Sequence, residues 1–262
     1  MSDAPPFPSP TKRWHTKAQP STSPTRPELS AKGKSVIITG GGTTGIGGET
    51  ARHFAQAGAS RIALLGRREG PLLDNKAHIE KEHPGVEVFA ISTDVTKQGE
   101  VDAAFARFAG GGGKVDVLVH SAAAIGPGER VSDVDGEMFL EGVQANVAGA
   151  LWVAKAFIAV YRLWDTVALT NPDLSIFHTQ PGVILTEMNL EVGGAESMKD
   201  VQVDDVSLPA SFNVWLASPE ARFLKGKFLW CNWDVDELKA QAEEIEKGTK
   251  LSIGLVGWPF ND

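Results

Sequence analysis

At 262 residues the chain is long enough for one large α/β domain and a tail. A formal net charge of −8 argues against a general binder of nucleic acid or anionic membranes. Cys231 is the single cysteine, which excludes an intrachain disulfide, and the six histidines form no zinc-like pattern with it, so no metal site is read.

Seven of the fifteen prolines fall in residues 1–33, mixed with Ser, Thr, Lys and Arg. Proline removes backbone donors and the segment has little to bury, so a disordered tail is expected there, with the folded domain over 34–262. The segment has no apolar signal-peptide core, and a cytoplasmic location is expected.

The chain is organised around residues 39–47, TGGGTTGIG. An apolar run, 35–38, precedes them and a helical pattern, 48–57, follows. Strand, glycine-rich turn and helix N-terminus in that order make a phosphate cradle, because glycines let backbone N–H groups come close and the helix end carries partial positive charge. Gly40, Gly42 and Gly45 match the dinucleotide spacing. A P-loop is excluded, since Ile46 stands where its lysine belongs.

Residues 61–65 read as a second buried strand, ending at Gly66. Arg67 and Arg68 follow where such folds meet the adenosine ribose. A basic pair there favours a 2′-phosphate and hence NADP(H), with NAD as the second choice; a solvated loop pair is the bland alternative. Residues 71–83 read as a helix and 85–91 as a third strand. Asp94-Val95-Thr96 then stands at a strand end, suited to an adenine edge or to capping the helix 98–108. A fourth strand spans 115–120 and exits through His120-Ser121-Ala122-Ala123. Strands alternating with helices imply a Rossmann-type, doubly wound parallel sheet.

With these pieces in order, the chain resembles the short-chain dehydrogenase/reductase family over about residues 34–235. The residues that carry the resemblance are Thr39-Gly40, Gly45-Ile46-Gly47, the Gly66-Arg67-Arg68 turn, Asp94-Val95-Thr96 and Asn146-Val147-Ala148-Gly149. Pro181-Gly182-Val183-Ile184-Leu185-Thr186 and the late stretch 216–226 complete the set. The resemblance implies an oxidoreductase interconverting a carbonyl and an alcohol with NADP(H). It implies that Thr39, Gly40, Gly42, Thr44, Gly45, Ile46 and Gly47 hold the pyrophosphate and Arg67, with Arg68, the 2′-phosphate. Asp94 and Val95 would frame the adenine, and Ala122 would let the backbone approach. Asn146 would fix a water in the proton relay. Pro181, Gly182, Val183 and Thr186 would line the nicotinamide. Residues 187–208 would form a substrate lid, with Met188 an apolar contact to a small-molecule substrate. Homo-oligomers are typical of the family.

The sequence departs from the family pattern in three places. The glycine turn is one residue longer, through Thr43-Thr44. His120–Ala123 replaces the usual Asn-Asn-Ala-Gly, leaving His120 without a role. Most seriously, the YxxxK motif is absent: Tyr161 is the single tyrosine, and Asp165 stands four residues on. A carboxylate there opposes phenolate formation, whereas the family lysine assists it. Asn146 and Pro181 are about one βα unit too close together, so the strand between the fourth and sixth is expected to be missing, with the junction near Ile158-Ala159. Residues 174–180 are then expected to slide over and pair with the fourth strand, or the core to be left poorly packed. The family's oligomer interface lies beside this block and is in doubt. A catalytically inactive dinucleotide-binding homologue, or a shortened version of an active enzyme, are the alternatives. A membrane span over the apolar stretch is disfavoured, because Lys155, Arg162 and Asp165 interrupt it.

Overall fold

The computed structural model describes residues 5–42, 45–110, 114–125, 130, 132–162, 174–186, 188 and 202–252, apart from the side chains of 158–162. Four strands build the main sheet: β1 (Ser35–Thr39), β2 (Arg61–Gly66), β3 (Glu87–Ser92) and β4 (Val117–His120). All pair in parallel, in the order β3-β2-β1-β4. The helices between them are α1 (Ile46–Gln56), α2 (Glu69–Glu82) and α3 (Gln98–Phe108).

The period-two alternation of the strands sorts the core into two layers. Val36, Ile38, Ile62 and Leu64 face one side, with Phe54, Leu72 and Ile79 of α1 and α2. Ile37, Ala63 and Leu65 face the other, with Val101, Phe105 and Phe108 of α3. Both faces of β1 are thus covered, which is why it reads as an unbroken apolar run. This is the expected doubly wound α/β arrangement.

After β4 the chain enters α4 (Gly136–Val143), a π-helical turn (Gln144–Ala148) and α5 (Gly149–Arg162) without a break. The three together run about 40 Å at roughly 1.5 Å per residue. Val153 and Ala156 of α5 pack on the α3 side of the sheet. The expected junction near Ile158-Ala159 falls inside this helix. Residues 163–173, including Asp165, lie outside the described residues.

The expected sliding of the next strand does not occur. β5 is short, His178–Gln180, and pairs in parallel with β6 (Phe228–Trp230) in a separate two-stranded sheet. Among the described residues β4 therefore pairs with β1 alone. A strand moved onto β4 would have to leave β6, whose Lys227 carbonyl accepts from His178 N at 3.1 Å, while Cys231 N donates to the Gln180 carbonyl at 2.9 Å. Along α4, the π-helical turn and α5, Met138, Phe139, Leu140, Val143, Val147 and Leu151 are exposed, Leu140 and Val147 by 64 % each, whereas the sheet core around Ile37, Ala63 and Leu65 stays buried. An isolated exposed leucine is ordinary, but six large apolar side chains along one helical rod are not.

The second correction concerns the proline-rich segment. Residues 5–33, expected to be disordered, lie against the C-terminal part as an ordered strap. Prolines start two short 3₁₀ turns, Pro20–Thr22 and Pro27–Leu29, and the polar side chains find fixed partners. Gln19 donates to the Trp233 carbonyl at 2.8 Å and accepts from Val235 N at 3.1 Å. Arg13 and His15 each meet Asp234 at 2.8 Å. Arg26 meets Glu220 at 2.8 Å, and Phe7, Trp14 and Trp230 form an aromatic cluster. Leu29 and Ala31 are buried in the main core. Composition undercounted what this segment buries, because the partners of its polar groups lie about 200 residues away.

Beyond residues 189–201, which lie outside the described residues, α6 (Ser207–Leu216) packs on α1 through Phe212 and Trp215. Two short helices follow β6, α7 (Val235–Lys239) and α8 (Ala242–Lys247). Asp234 caps α7 by accepting from Asp236 N and Glu237 N.

Truncating Leu29 tests the strap. Leu29→Ala is expected to cost about 2–4 kcal/mol of stability, read as a lowered urea midpoint, as for a buried core leucine; a disordered tail would leave the midpoint unchanged.

Candidate functional site at the carboxyl ends of β1 and β4

The chain winds from β1 through β2 to β3 on one side and then crosses to β4 on the other side of β1. The carboxyl ends of β1 and β4 therefore flank the point where the winding reverses. Open α/β sheets take their ligands in the crevice that forms there.

Thr39 closes β1 and is fully buried. Its Oγ1 accepts from Ser121 N and Ala122 N, both at 3.1 Å, and lies 2.9 Å from His120 Nδ1. One hydroxyl thus fixes the whole exit of β4 against the start of the glycine turn. Gly40 follows with φ +70°, and a Cβ on it would come within 3.2 Å of the Ser121 and Ala122 backbone. A Cβ on Gly47 would sit 2.5 Å from the Gly40 carbonyl oxygen, so the first turn of α1 also lies directly on the loop. Gly45 is the N-cap of α1 and Ile46 its first residue.

The described start of the lengthened turn, Gly41 and Gly42, lies against β2 and α2. Gly41 N donates to the Leu65 carbonyl at 3.2 Å, and a Cβ on Gly42 would meet Leu72 at 2.8 Å. The Asn75 amide donates to the Gly41 carbonyl at 2.6 Å, and Arg52 Nε donates to Asn75 Oδ1 at 3.1 Å. Gly42 is thus a packing residue. Neither Asn75 nor Arg52 stood out in the sequence. The available signal was a polar residue on the buried face of α2, in register with Leu72 and Ile79. Thr44 lies outside the described residues.

At the ends of β2 and β3, Arg67 is exposed beside Asp94. Ser92 donates to the Arg67 carbonyl, and Asp94 Oδ1 accepts from Thr96 N at 3.0 Å and Thr96 Oγ1 at 2.8 Å. Burial works to raise the Asp94 pKa, but these two bonds and the charges of Lys97 and Arg67 bring it below the usual carboxylate value. Asp94 shapes the approach to α3 without capping it; Lys97 holds the cap position. Arg68 is likewise the N-cap residue of α2. Val95 packs against Gly149, where a Cβ would meet Val95 Cγ2 at 3.1 Å.

Asn146 lies in the π-helical turn and clamps the continuation of β4. Its Oδ1 accepts from Ala124 N at 2.8 Å and its Nδ2 donates to the Ala124 carbonyl at 2.7 Å. Both ends of the amide are used, so the side chain behaves as a strand partner for a segment that has no strand beside it among the described residues. A π turn in a helix at a binding crevice is a recurrent device for aiming one side chain.

Pro181, Gly182, Val183 and Thr186 follow β5. Gly182 has φ +89°, and a Cβ there would come within 2.5 Å of Asp204 Oδ2. Val183 N donates to Asp204 Oδ2 at 2.8 Å, Asp204 N returns to the Val183 carbonyl at 2.7 Å, and Asn232 donates to Asp204 Oδ1 at 3.1 Å. Burial raises the Asp204 pKa despite these donors. Asp204, expected only as part of the substrate lid 187–208, is instead buried and bridged to Ile184, and is what shapes this turn. Met188 is half-buried, but Glu187 and residues 189–201 of the expected lid lie outside the described residues. Tyr161 falls in α5, where side chains are not described. Among the described residues no group of three His, Cys, Asp or Glu could hold a metal, and no helix is long and apolar enough to cross a membrane.

The switch point between β1 and β4 thus gathers Thr39, Gly40, Gly47, His120, Ala122 and Asn146, with Arg67 and Asp94 beyond the ends of the neighbouring β2 and β3. Segment 181–186 is held by the second sheet. The family profile described as short chain dehydrogenase matches residues 34–164. A short chain dehydrogenase/reductase of Claviceps purpurea is 32 % identical, covering 95 % of each chain. The short chain dehydrogenase/reductase AacuD of Aspergillus aculeatus is 27 % identical over 98 % of this chain and all of that one. That alignment spans 292 positions against 262 residues here, so at least 30 positions are gaps on this side. Among solved structures, L-sorbose reductase from Gluconobacter frateurii, complexed with NADPH and L-sorbose, matches with a TM-score of 0.65 at 21 % identity, over 78 % of this chain and 96 % of that one. Actinorhodin polyketide ketoreductase with NADPH matches with the same score at 20 % identity, over 78 % and 96 %. Sequence, fold and crevice agree: the chain belongs to the short-chain dehydrogenase/reductase family of oxidoreductases.

Proposed function

We propose that the chain binds NADP(H) in the β1/β4 crevice, on a scaffold whose chemistry is carbonyl/alcohol interconversion, and that it turns over far more slowly than a complete family member. The observation that carries the reading is the Thr39–Gly40–Ala122 junction, a glycine at positive φ between two strand ends at the switch point. The residues present fit a dinucleotide: closely packed glycines leading into α1 for the pyrophosphate, and the exposed Arg67 for a 2′-phosphate. NADPH in the G. frateurii reductase and in the actinorhodin ketoreductase supports NADP(H) over NAD.

When bound, the nicotinamide supplies or accepts the hydride. This chain's own part is to bind and orient it. Thr39 and Asn146 hold the β4 exit, and the Gly182 turn, shaped by Asp204, would face the nicotinamide. The proton step has no donor matching the family pattern, since the single tyrosine, Tyr161, is followed four residues on by Asp165. A positioned acid/base contributes roughly 10²–10⁴ in rate, and that contribution is what the chain lacks. The missing alignment positions favour a second reading: a longer form carrying the absent block is the active reductase. Sequencing the transcript across codons 150–170 decides between them.

Two outcomes follow. NADPH titrated into the purified chain is expected to bind at micromolar concentration, and Arg67→Ala to weaken NADPH about 10-fold with little effect on NADH, as loss of a charge-assisted phosphate contact predicts; equal loss for both cofactors overturns the 2′-phosphate role. Against a panel of ketones, NADPH consumption is expected to be about 10²-fold or more below that of a family member carrying YxxxK, and a comparable rate would refute the slow-turnover claim.

A further inference from the structure

His120 occupies a place in the crevice that the reading above leaves without a purpose. It ends β4, directly across from Thr39 at the end of β1. The hydroxyl of Thr39 already accepts two backbone N–H bonds, from Ser121 and Ala122, which fill its two lone pairs. A third donor has nowhere to bind. The contact between Thr39 Oγ1 and His120 Nδ1, at 2.9 Å, must therefore run from the hydroxyl to the ring. Nδ1 is then the bare nitrogen and Nε2 carries the hydrogen. His120 as a residue is exposed although its contact with Thr39 is part-buried, and among the described residues Nε2 has no partner. The result is one N–H donor, fixed in tautomer and anchored at its far nitrogen, at the carboxyl end of a strand beside the switch point. Partial burial lowers the histidine pKa, which favours the neutral ring.

We propose that Thr39 holds His120 as the Nε2–H tautomer and that this N–H donates to a ribose-diphosphate oxygen of NADP(H). The inference rests on the dinucleotide reading of the crevice. It assigns Thr39 two tasks, closing the β4 exit and setting the tautomer of the ring.

Two measurements test it. Long-range ¹H–¹⁵N correlation spectra of the full chain, assigned by comparison with H120N, are expected to show His120 protonated on Nε2 and bare on Nδ1, and the Nε2 resonance to shift saturably as NADPH is added. Protonation on Nδ1, or no shift under saturating NADPH, overturns the inference. In parallel, H120N and H120F are titrated with NADPH after melting curves have shown them folded. Asn can still accept from Thr39 but cannot reach as far as Nε2; Phe can do neither. Both are expected to bind NADPH about 3–10-fold more weakly, the range for one lost hydrogen bond. Full affinity in H120N with loss only in H120F shows that the anchor alone matters and overturns the donor role. Failure of the unaltered chain to bind NADPH overturns the parent reading and the donor role together, while the tautomer in the free protein still reports on Thr39 separately.

Discussion

The hydroxyl of Thr39 ties the end of β1 to the chain leaving β4, just beyond their last paired residues, Thr39 and His120. β4 has one neighbour among the described residues, so its exit cannot be fixed by a ladder on its far side. Two N–H groups of that exit converge instead on Thr39, and Asn146 supplies a donor and an acceptor two residues further on. Gly40 can reach its left-handed conformation against Ser121 and Ala122 only because that exit stands still. The crevice, the close glycine contacts and the orientation of His120 all derive from this one buried oxygen.

The split into a four-stranded and a two-stranded sheet follows from the same shortage. A parallel strand covered on both faces is most stable with neighbours on both edges, because each unpaired backbone group must find water or a side chain. β5 keeps β6, with which it shares a complete register, and β4 makes do with Asn146 and a loop. The ordered strap secures the smaller sheet. Residues 5–33 bind Trp233, Asp234, Val235 and Glu220 around it, replacing some of the cohesion that a continuous sheet would give.

The half of the fold up to β4 was legible in the sequence because its signals are local. The buried runs at 35–38 and 61–65 and the helix at 98–108 each carry their own period and punctuation. Arg67 beside Asp94 was legible for the same reason, since each stands at the end of its own strand. The later half was not, because its geometry is decided by absent neighbours. Nothing in residues 174–180 says whether they will seek β4 or stay with a strand 50 residues on. The strap illustrates the opposite error: proline and polarity read as disorder until the partners are known. Asp204 and Asn75 were invisible because each serves a backbone group distant in sequence, Val183 and Gly41 respectively.

The strap also orders events during synthesis. Arg13 meets Asp234 across 221 residues of sequence, and Gln19 bonds Trp233 across 214. At roughly 5–20 residues per second a ribosome takes on the order of 10–45 seconds to make what lies between. The β1–β4 half, built from neighbouring units, can form its short-range pairings in that interval, whereas Arg13, His15 and Gln19 must wait for Trp233, Asp234 and Val235. The strap is therefore made well before its partners and is among the last segments to find its place, and for that interval its surface on the C-terminal half has not yet been made.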